Sequence, residues 1–97
     1  MNILVVDDEA VMVESIRIGL ESSGYHVIGA FGAQQALDML NNVGCNIDLV
    51  VTDYLMPKMN GLDLLGAVRK SHPTLPIIIM TAYALSLIHI SEPTRPN

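Results

Sequence analysis

The 97-residue sequence is poor in cysteine, in basic residues and in long apolar segments. Its one cysteine, Cys45, excludes a disulfide bond within the chain. Only five residues are Lys or Arg, none of them in a run, and the net charge of -5 argues against direct binding of nucleic acid. The sequence has no basic-then-apolar leader and no apolar segment that could cross a bilayer, so we expect no membrane contact and a location in the reducing cytoplasm.

Apolar residues make up 51% of the sequence, which is enough for one compact domain with a modest core. Short β-branched segments, typical of buried strands, alternate with segments of helical spacing. The predicted strands are 2–6, 26–30, 47–52 and 77–80, and the predicted helices begin near residues 9 or 10, 33 and 62. This alternation predicts parallel strands with helices on both faces, which is a three-layer, doubly wound α/β fold.

Three carboxylates stand at predicted strand ends, with Asp7 and Asp8 after the first strand and Asp53 after the third. In a doubly wound sheet the carboxyl ends of the strands meet at one crevice, where we also expect Thr81 of the fourth strand. Three like charges in one crevice require a cation, and an all-oxygen cluster suits a hard divalent ion, first of all Mg²⁺. A carboxylate beside such an ion can act as a nucleophile toward phosphorus.

The same residues also have purely structural interpretations. Taken alone, Asp7-Asp8 is more often an acidic pair favoured by a helix dipole than a metal site, and Thr81 alone is an ordinary strand residue. Their combination with Asp53 favours the metal site. The three histidines show no ligand spacing with each other or with Cys45, which argues against a transition-metal site.

Three segments, in this order and spacing, resemble the receiver domains of bacterial two-component response regulators: ILVVDDE at 3–9, DLVVTDYLMPKMNGLDLL at 48–65 and PIIIMTA at 76–82. The combination of the acidic pair, Asp-x-x-x-Pro-x-x-x-Gly and a strand-ending Thr-Ala is highly specific. The resemblance covers residues 1–84 and implies a flavodoxin-like receiver fold. It also implies a phosphoryl acceptor that switches conformation to control an output, and not an enzyme beyond its own phosphorylation and dephosphorylation.

The resemblance implies a role for each matching residue. Asp53 would accept a phosphoryl group from a phosphohistidine on a sensor histidine kinase or a histidine phosphotransferase. Asp8 and Asp53 would bind Mg²⁺ directly, and Asp7 would bind it through water. Leu55 would add its backbone carbonyl as a further ligand. Thr81 would be the switch hydroxyl that turns toward the phosphoryl group, while the output domain or downstream protein is left undefined.

Two features of the family have no counterpart in the sequence, namely a fifth strand that ends in lysine and the helix after it. Lys58 and Lys70 cannot replace that lysine, since one is in a predicted loop and the other is at a helix end. The segment 85–95, LSLIHISEPTR, is similar, codon by codon, to a translated transposase sequencing adapter. We therefore expect a partial receiver domain at 1–84 and a non-native tail at 85–97.

Two alternative interpretations stay open at this point. A Mg²⁺-dependent phosphatase or phosphotransferase of the haloacid dehalogenase type also uses an aspartate nucleophile on such a sheet. Its nucleophile lies in an Asp-x-Asp pattern after the first strand, which the adjacent Asp7 and Asp8 do not match. The chain could also be a non-functional fragment, because loss of a strand and a helix would expose a sheet edge in a domain with only about 5–15 kcal/mol of net stability.

Overall fold

The computed structural model describes residues 1–42, 45–81 and 86–89, with side chains for 1–42 and 45–80. Within these residues, one sheet of five strands is flanked by three helices. The strands are β1 (Asn2–Val6), β2 (His26–Ala30), β3 (Leu49–Asp53), β4 (Ile77–Thr81) and β5 (Ser86–His89). The helices are α1 (Ala10–Glu21), α2 (Ala33–Leu40) and α3 (Gly61–Ser71).

The strand order in the sheet is β2-β1-β3-β4-β5. β1 pairs with β2 and with β3, and β3 pairs with β4, all in parallel, whereas β5 is antiparallel to β4. The order of the four parallel strands is that of a flavodoxin-like sheet. β2 lies on one side of β1, and β3 and β4 lie on the other, so the strand order reverses between β1 and β3. The predicted α/β fold is confirmed, and its ligand-binding position lies where β1 and β3 end side by side.

Alternate residues of the strands belong to two apolar layers, one on each face of the sheet. Ile3 and Val5 of β1 pack with Val13 of α1 on one face. Leu4 and Val6 of β1 pack on the other face with α2 and α3, in a cluster that also includes Ala33, Ala36, Leu40, Val50, Leu64, Leu65, Val68, Ile77 and Ile79. Because helices cover both faces, the parallel strands are buried and their carboxyl ends are held in fixed register.

Strand β3 begins at Leu49, two residues later than predicted, for a reason that the local sequence does not show. The backbone N–H of Asn2 donates to Asp48 Oδ2 at 2.7 Å, and the Asn2 side-chain amide donates to the Asn46 carbonyl at 2.9 Å. The Asp48 N–H also donates to the Asn2 carbonyl at 2.8 Å, so this segment is bonded to β1 through both side chains and backbone before the strand begins. At its other end β3 includes Asp53, which pairs with Met80 of β4.

Two glycines have distinct structural roles. Gly24 has a φ of 96°, and this left-handed conformation is the one predicted for it at the end of α1. Gly29 of β2 lies under α1, where an added Cβ would be 2.7 Å from Val13 Cγ1. The missing side chain therefore lets α1 lie close to the sheet at this point.

The chain beyond β4 differs from the family pattern. Where the resemblance implies a parallel fifth strand ending in lysine, the structure has the short β5, antiparallel to β4 and ending at His89. A final helix does not occur in the described part of the chain. The predicted boundary at residue 84 lies outside the described residues. No described helix is both long and apolar enough to span a membrane.

Candidate functional site

The three predicted carboxylates do converge at the ends of β1 and β3. One carboxylate oxygen from each of Asp7, Asp8 and Asp53 can be chosen so that all three lie within 4.8 Å of one another. The pairing of Val6 with Thr52 in the sheet places the next residues of the two strands side by side. The cluster is therefore a direct product of strand order and register.

Asp7 is the buried member of the cluster, with 4% of its surface exposed. Its Oδ1 accepts a hydrogen bond from the backbone N–H of Glu9 at 2.9 Å. Burial raises the pKa of Asp7 most, and the negative charges of Asp53 and Asp8 raise it further, against the lowering effect of the Glu9 hydrogen bond. The cluster thus holds negative charge that a cation would stabilise.

Asp53 is half-buried and has a fixed carboxylate. Its Oδ1 accepts a hydrogen bond from the backbone N–H of Tyr54 at 2.9 Å, and that same N–H donates to the Met80 carbonyl at 2.9 Å. Burial is the largest cause of the raised pKa of Asp53, and the negative charge of Asp8 adds to it. The backbone N–H groups of Tyr54 and Leu55 oppose both effects. Asp8 itself is exposed at the mouth of the cluster.

The loop from β3 to α3 is tightly folded. Met59 N–H donates to the Pro57 carbonyl at 2.7 Å, and Lys58 between them has a φ of 72°, which together form a γ-turn. Non-glycine residues adopt this conformation rarely, and such local strain is concentrated at functional sites. The loop therefore keeps a fixed shape beside the cluster.

Helix α3 begins with a capping box. The Asn60 side chain accepts a hydrogen bond from Asp63 N–H at 2.8 Å, and Asp63 Oδ2 accepts one from Asn60 N–H at 3.3 Å. Gly61 N–H donates to the Tyr54 carbonyl at 2.9 Å. Gly61 is the glycine of the Asp-x-x-x-Pro-x-x-x-Gly pattern. The capping box of Asn60 and Asp63 is not among the predicted features, although Asn-x-x-Asp before an apolar helix is close to the known capping-box pattern.

Other predicted site residues are described only in part. Leu55 follows Asp53 in the loop, and 53% of its surface is exposed. Thr81 ends β4 next to the residue that pairs with Asp53, and its backbone pairs with Ser86. The side chain of Thr81 lies outside the described residues. The proposed ligation by the Leu55 carbonyl and the switch role of Thr81 therefore stay predictions.

A cavity of about 430 Å³ opens beside Asp8. It lies between the start of α2 and the loop before α3, and it is lined by Asp8, Phe31, Gly32, Ala33, Gln34, Pro57, Lys58 and Met59. Phe31 is 49% exposed at its wall. The acidic cluster is thus accessible to an incoming molecule from the side of Asp8.

The donor set of the cluster fits Mg²⁺. All three side chains offer carboxylate oxygens, which are the ligands that hard divalent cations prefer. The raised pKa values of Asp7 and Asp53 reflect burial and mutual repulsion, both of which a bound cation would offset. Asp7, Asp8 and Asp53 are accordingly the residues that would hold the ion.

Comparisons with known proteins agree with one another. A family model described as the response regulator receiver domain matches residues 3–89. The chain is 44% identical over 80 residues to the transcriptional regulatory protein CpxR of Escherichia coli, covering 82% of this chain and 33% of CpxR. It is 39% identical over 82 residues to the sensor kinase CckA of Brucella abortus, covering 84% of this chain and 9% of CckA.

A solved structure gives the same result. The response regulator protein TrrA of Thermotoga maritima, determined in complex with Mg²⁺-BeF, is similar to this chain with a TM-score of 0.79 and 37% identity. The similarity covers 86% of this chain and 70% of TrrA. Against the curated regulator CpxR, however, the chain spans only about a third of the relative's length, 33%.

Proposed function

The chain belongs to the response regulator receiver family, and we propose that Asp53 is its phosphoryl acceptor. The supporting observation is the convergence of three carboxylates within 4.8 Å at the ends of β1 and β3. Asp53 is the member whose carboxylate is oriented by the backbone of its own loop, while Asp8 is exposed at the entrance. This arrangement suits a nucleophile that is already oriented when an anionic phosphoryl donor enters the site.

In the proposed reaction, a carboxylate oxygen of Asp53 attacks the phosphorus of a phosphohistidine on the partner. The O–P bond forms as the P–N bond breaks, and the histidine ring leaves with the electron pair and takes a proton from solvent. Phosphoryl transfer depends mainly on positioning and on neutralising charge. The Tyr54 N–H, which holds Asp53 Oδ1, contributes the positioning.

Mg²⁺, when bound, would neutralise charge on the transferred phosphoryl oxygens. Asp8 and Asp53 would bind it directly, Asp7 would bind it through water, and the Leu55 carbonyl would complete the protein ligands. Asp7 is buried, and its Oδ1 already accepts a hydrogen bond from the Glu9 N–H. Both observations favour binding of the ion by Asp7 through water. The Mg²⁺-BeF complex of TrrA supports the choice of ion.

The proposed partners are a sensor histidine kinase or a histidine phosphotransferase as donor, and an unidentified output domain or downstream protein. The relatives include a transcriptional regulator and a sensor kinase, so the family membership alone does not select the output. We further propose that the domain acts in the cytoplasm and that it changes state on phosphorylation through the Thr81 hydroxyl. It would take up phosphoryl groups stoichiometrically and would not turn over external substrates.

Labelling with radioactive acetyl phosphate and Mg²⁺ tests the acceptor. We expect the parent chain to take up at most one label per molecule, and Asp53→Asn to take up only background. Asp38→Asn, an exposed aspartate on α2, is the matched control and should label like the parent. The label should be released by hydroxylamine, as expected for an acyl phosphate.

Two results would contradict the proposal. Equal labelling of Asp53→Asn and the parent would show that another group is the acceptor. Sustained release of phosphate from small phosphate esters, lost in the Asp53→Asn variant, would instead indicate the phosphatase alternative.

A further inference from the structure

The start of α3 lies very close to the backbone of Asp53. A Cβ atom added to Gly61 would be 2.8 Å from the Asp53 carbonyl oxygen and 3.2 Å from both Tyr54 Cα and Ile79 Cγ2. Real Cβ atoms essentially never show contacts under 3.0 Å. Because the nearest atom belongs to the backbone, rotation of a side chain cannot relieve the contact. Glycine at this position is therefore required by close approach.

Hydrogen bonds fix the helix side of this contact. Gly61 N–H donates to the Tyr54 carbonyl at 2.9 Å, which ties the first residue of α3 to the residue after Asp53. The reciprocal bonds of Asn60 and Asp63 set where the helix begins. The helix start cannot shift away from Asp53 without losing these bonds.

Hydrogen bonds also fix the strand side. The buried Thr52 hydroxyl donates to the Asp53 carbonyl at 3.0 Å. The Tyr54 N–H, at the other end of the same peptide group, donates to both Asp53 Oδ1 and the Met80 carbonyl. A rotation of the Asp53–Tyr54 peptide group would therefore move the hydrogen-bond donor that orients the Asp53 carboxylate.

We propose that Gly61 and Thr52 are positioning residues for the acceptor. Together they hold the Asp53–Tyr54 peptide group, and this group in turn holds the Asp53 carboxylate toward Asp7 and Asp8. The kinetic part of this inference rests on the proposed function of Asp53. Its geometric part concerns only the orientation of the Asp53 carboxylate in the metal-free chain.

A comparison of two glycines in α3 tests the inference in the full chain. Gly61→Ala places a Cβ against the Asp53 carbonyl, whereas Gly66→Ala places one where no atom lies within 4 Å. Gly66→Ala makes the same chemical change in the interior of α3 without a contact, so effects at Asp53 that occur only in Gly61→Ala report the contact. Three quantities are measured: amide NMR positions of residues 53–55 without metal, the Mg²⁺ dissociation constant, and the initial labelling rate at saturating Mg²⁺.

We expect Gly66→Ala to have the amide positions, the Mg²⁺ dissociation constant and the labelling rate of the parent. Gly61→Ala should shift the amide signals of residues 53–55 and should lower the labelling rate by about 10-fold to 100-fold, the order of loss that a displaced reacting group causes. Loss of folding alone would lower the labelled fraction without lowering the rate of the folded fraction. A folded Gly61→Ala chain with parental amide positions and rate would overturn the inference.

Thr52→Val tests the positioning of Asp53 if Gly61→Ala does not fold, which the absence of a cooperative unfolding transition would show. It replaces the hydroxyl that donates to the Asp53 carbonyl with a methyl group of similar size and leaves Gly61 unchanged. We expect a folded chain with shifted amide signals at residues 53–55 and a lower labelling rate at saturating Mg²⁺, and parental values would overturn the inference. If the parent itself takes no label, the proposed function fails, while the amide comparison still tests the positioning.

Discussion

Two helices begin at the acidic cluster, and they begin in different ways. α1 follows Asp7 and Asp8 almost directly, and its N-cap residue, Glu9, makes no side-chain capping bond. α3 begins with the reciprocal capping box of Asn60 and Asp63 and lies against the backbone of Asp53 at the end of β3. The half of the site with Asp53 is thus fixed by several short contacts, while the other half exposes the carboxylate of Asp8. The difference indicates that one half of the site holds Asp53 in a fixed orientation, and that the other half leaves Asp8 open to an incoming ligand.

Removal of charge from the open half should have the largest effect. Asp8→Asn should weaken Mg²⁺ binding by at least about 100-fold, since loss of a residue that merely supports a metal ligand already costs about 10- to 100-fold. Isothermal titration calorimetry measures the change. Glu9→Gln removes a neighbouring exposed charge outside the cluster and should leave the affinity near that of the parent. Similar losses in the two variants would mean that Asp8 acts only through general charge.

The next test compares how the two helices approach the sheet. Gly29→Ala should destabilise the fold by about 1–3 kcal/mol, because its Cβ overlaps Val13 Cγ1. Val13→Ala in the same chain should recover part of that loss, since the obstacle is a side chain. Ile79→Ala should not recover the stability lost in Gly61→Ala, because the atom nearest to the added Cβ there is the Asp53 carbonyl oxygen. Denaturant unfolding of both double-mutant cycles measures the recovered free energy of unfolding. Equal recovery in the two cycles would contradict a difference between a side-chain contact at Gly29 and a backbone contact at Gly61.

The capping box gives a smaller effect. Asn60→Ala should lower the free energy of unfolding by about 1 kcal/mol, because it removes the acceptor of the Asp63 N–H. Glu9→Ala at the start of α1 should change it by less than about 0.5 kcal/mol, since no capping bond is lost. Thermal unfolding of both variants checks the contrast, which disappears if the two losses are the same.

The pH dependence should give the smallest effect, because Asp53 is partly exposed to solvent. The pKa values of Asp7 and Asp53 are raised in the folded chain, so the folded chain binds more protons than the unfolded chain between the ordinary and the raised values. Without metal, the stability contribution of these groups is therefore complete below the ordinary carboxyl pKa and is lost as the pH rises through the raised values. Asp53→Asn should show a smaller loss over this range in thermal unfolding with chelator. An identical pH dependence in parent and variant would contradict the raised pKa of Asp53.

The sequence predicts β1, β2 and the acidic cluster well, because these features follow from local patterns and one topological rule. The bounds 2–6 and 26–30 agree with the structure, since β1 is an apolar segment that stops at Asp7 and β2 closely follows the turn at Gly24. Asp7, Asp8 and Asp53 converge because parallel strands end at the same edge. Such features need no knowledge of contacts between distant residues.

Other features depend on contacts that the local sequence does not contain. The segment just before β3 is bonded to β1 through Asn2 and Asp48, which lie 46 positions apart. Gly61 belongs to the Asp-x-x-x-Pro-x-x-x-Gly pattern of the sequence, but the close approach that requires glycine there becomes visible only when α3 is packed on Asp53. The orientation of the Asp53 carboxylate likewise depends on the Tyr54 amide in the folded loop.

The shared N–H of Tyr54 has a consequence for how the chemical state of Asp53 is transmitted. This single amide proton joins Asp53 Oδ1 to the carbonyl of Met80, which precedes the last residue of β4. Phosphorylation of Asp53 would convert its carboxylate into an acyl phosphate, whose oxygens are poorer acceptors, so the Tyr54 N–H would bond more strongly to the Met80 carbonyl. A chemical change on β3 would thereby alter the strength of a hydrogen bond to β4, and the chemical shift of the Tyr54 amide proton would report the state of Asp53.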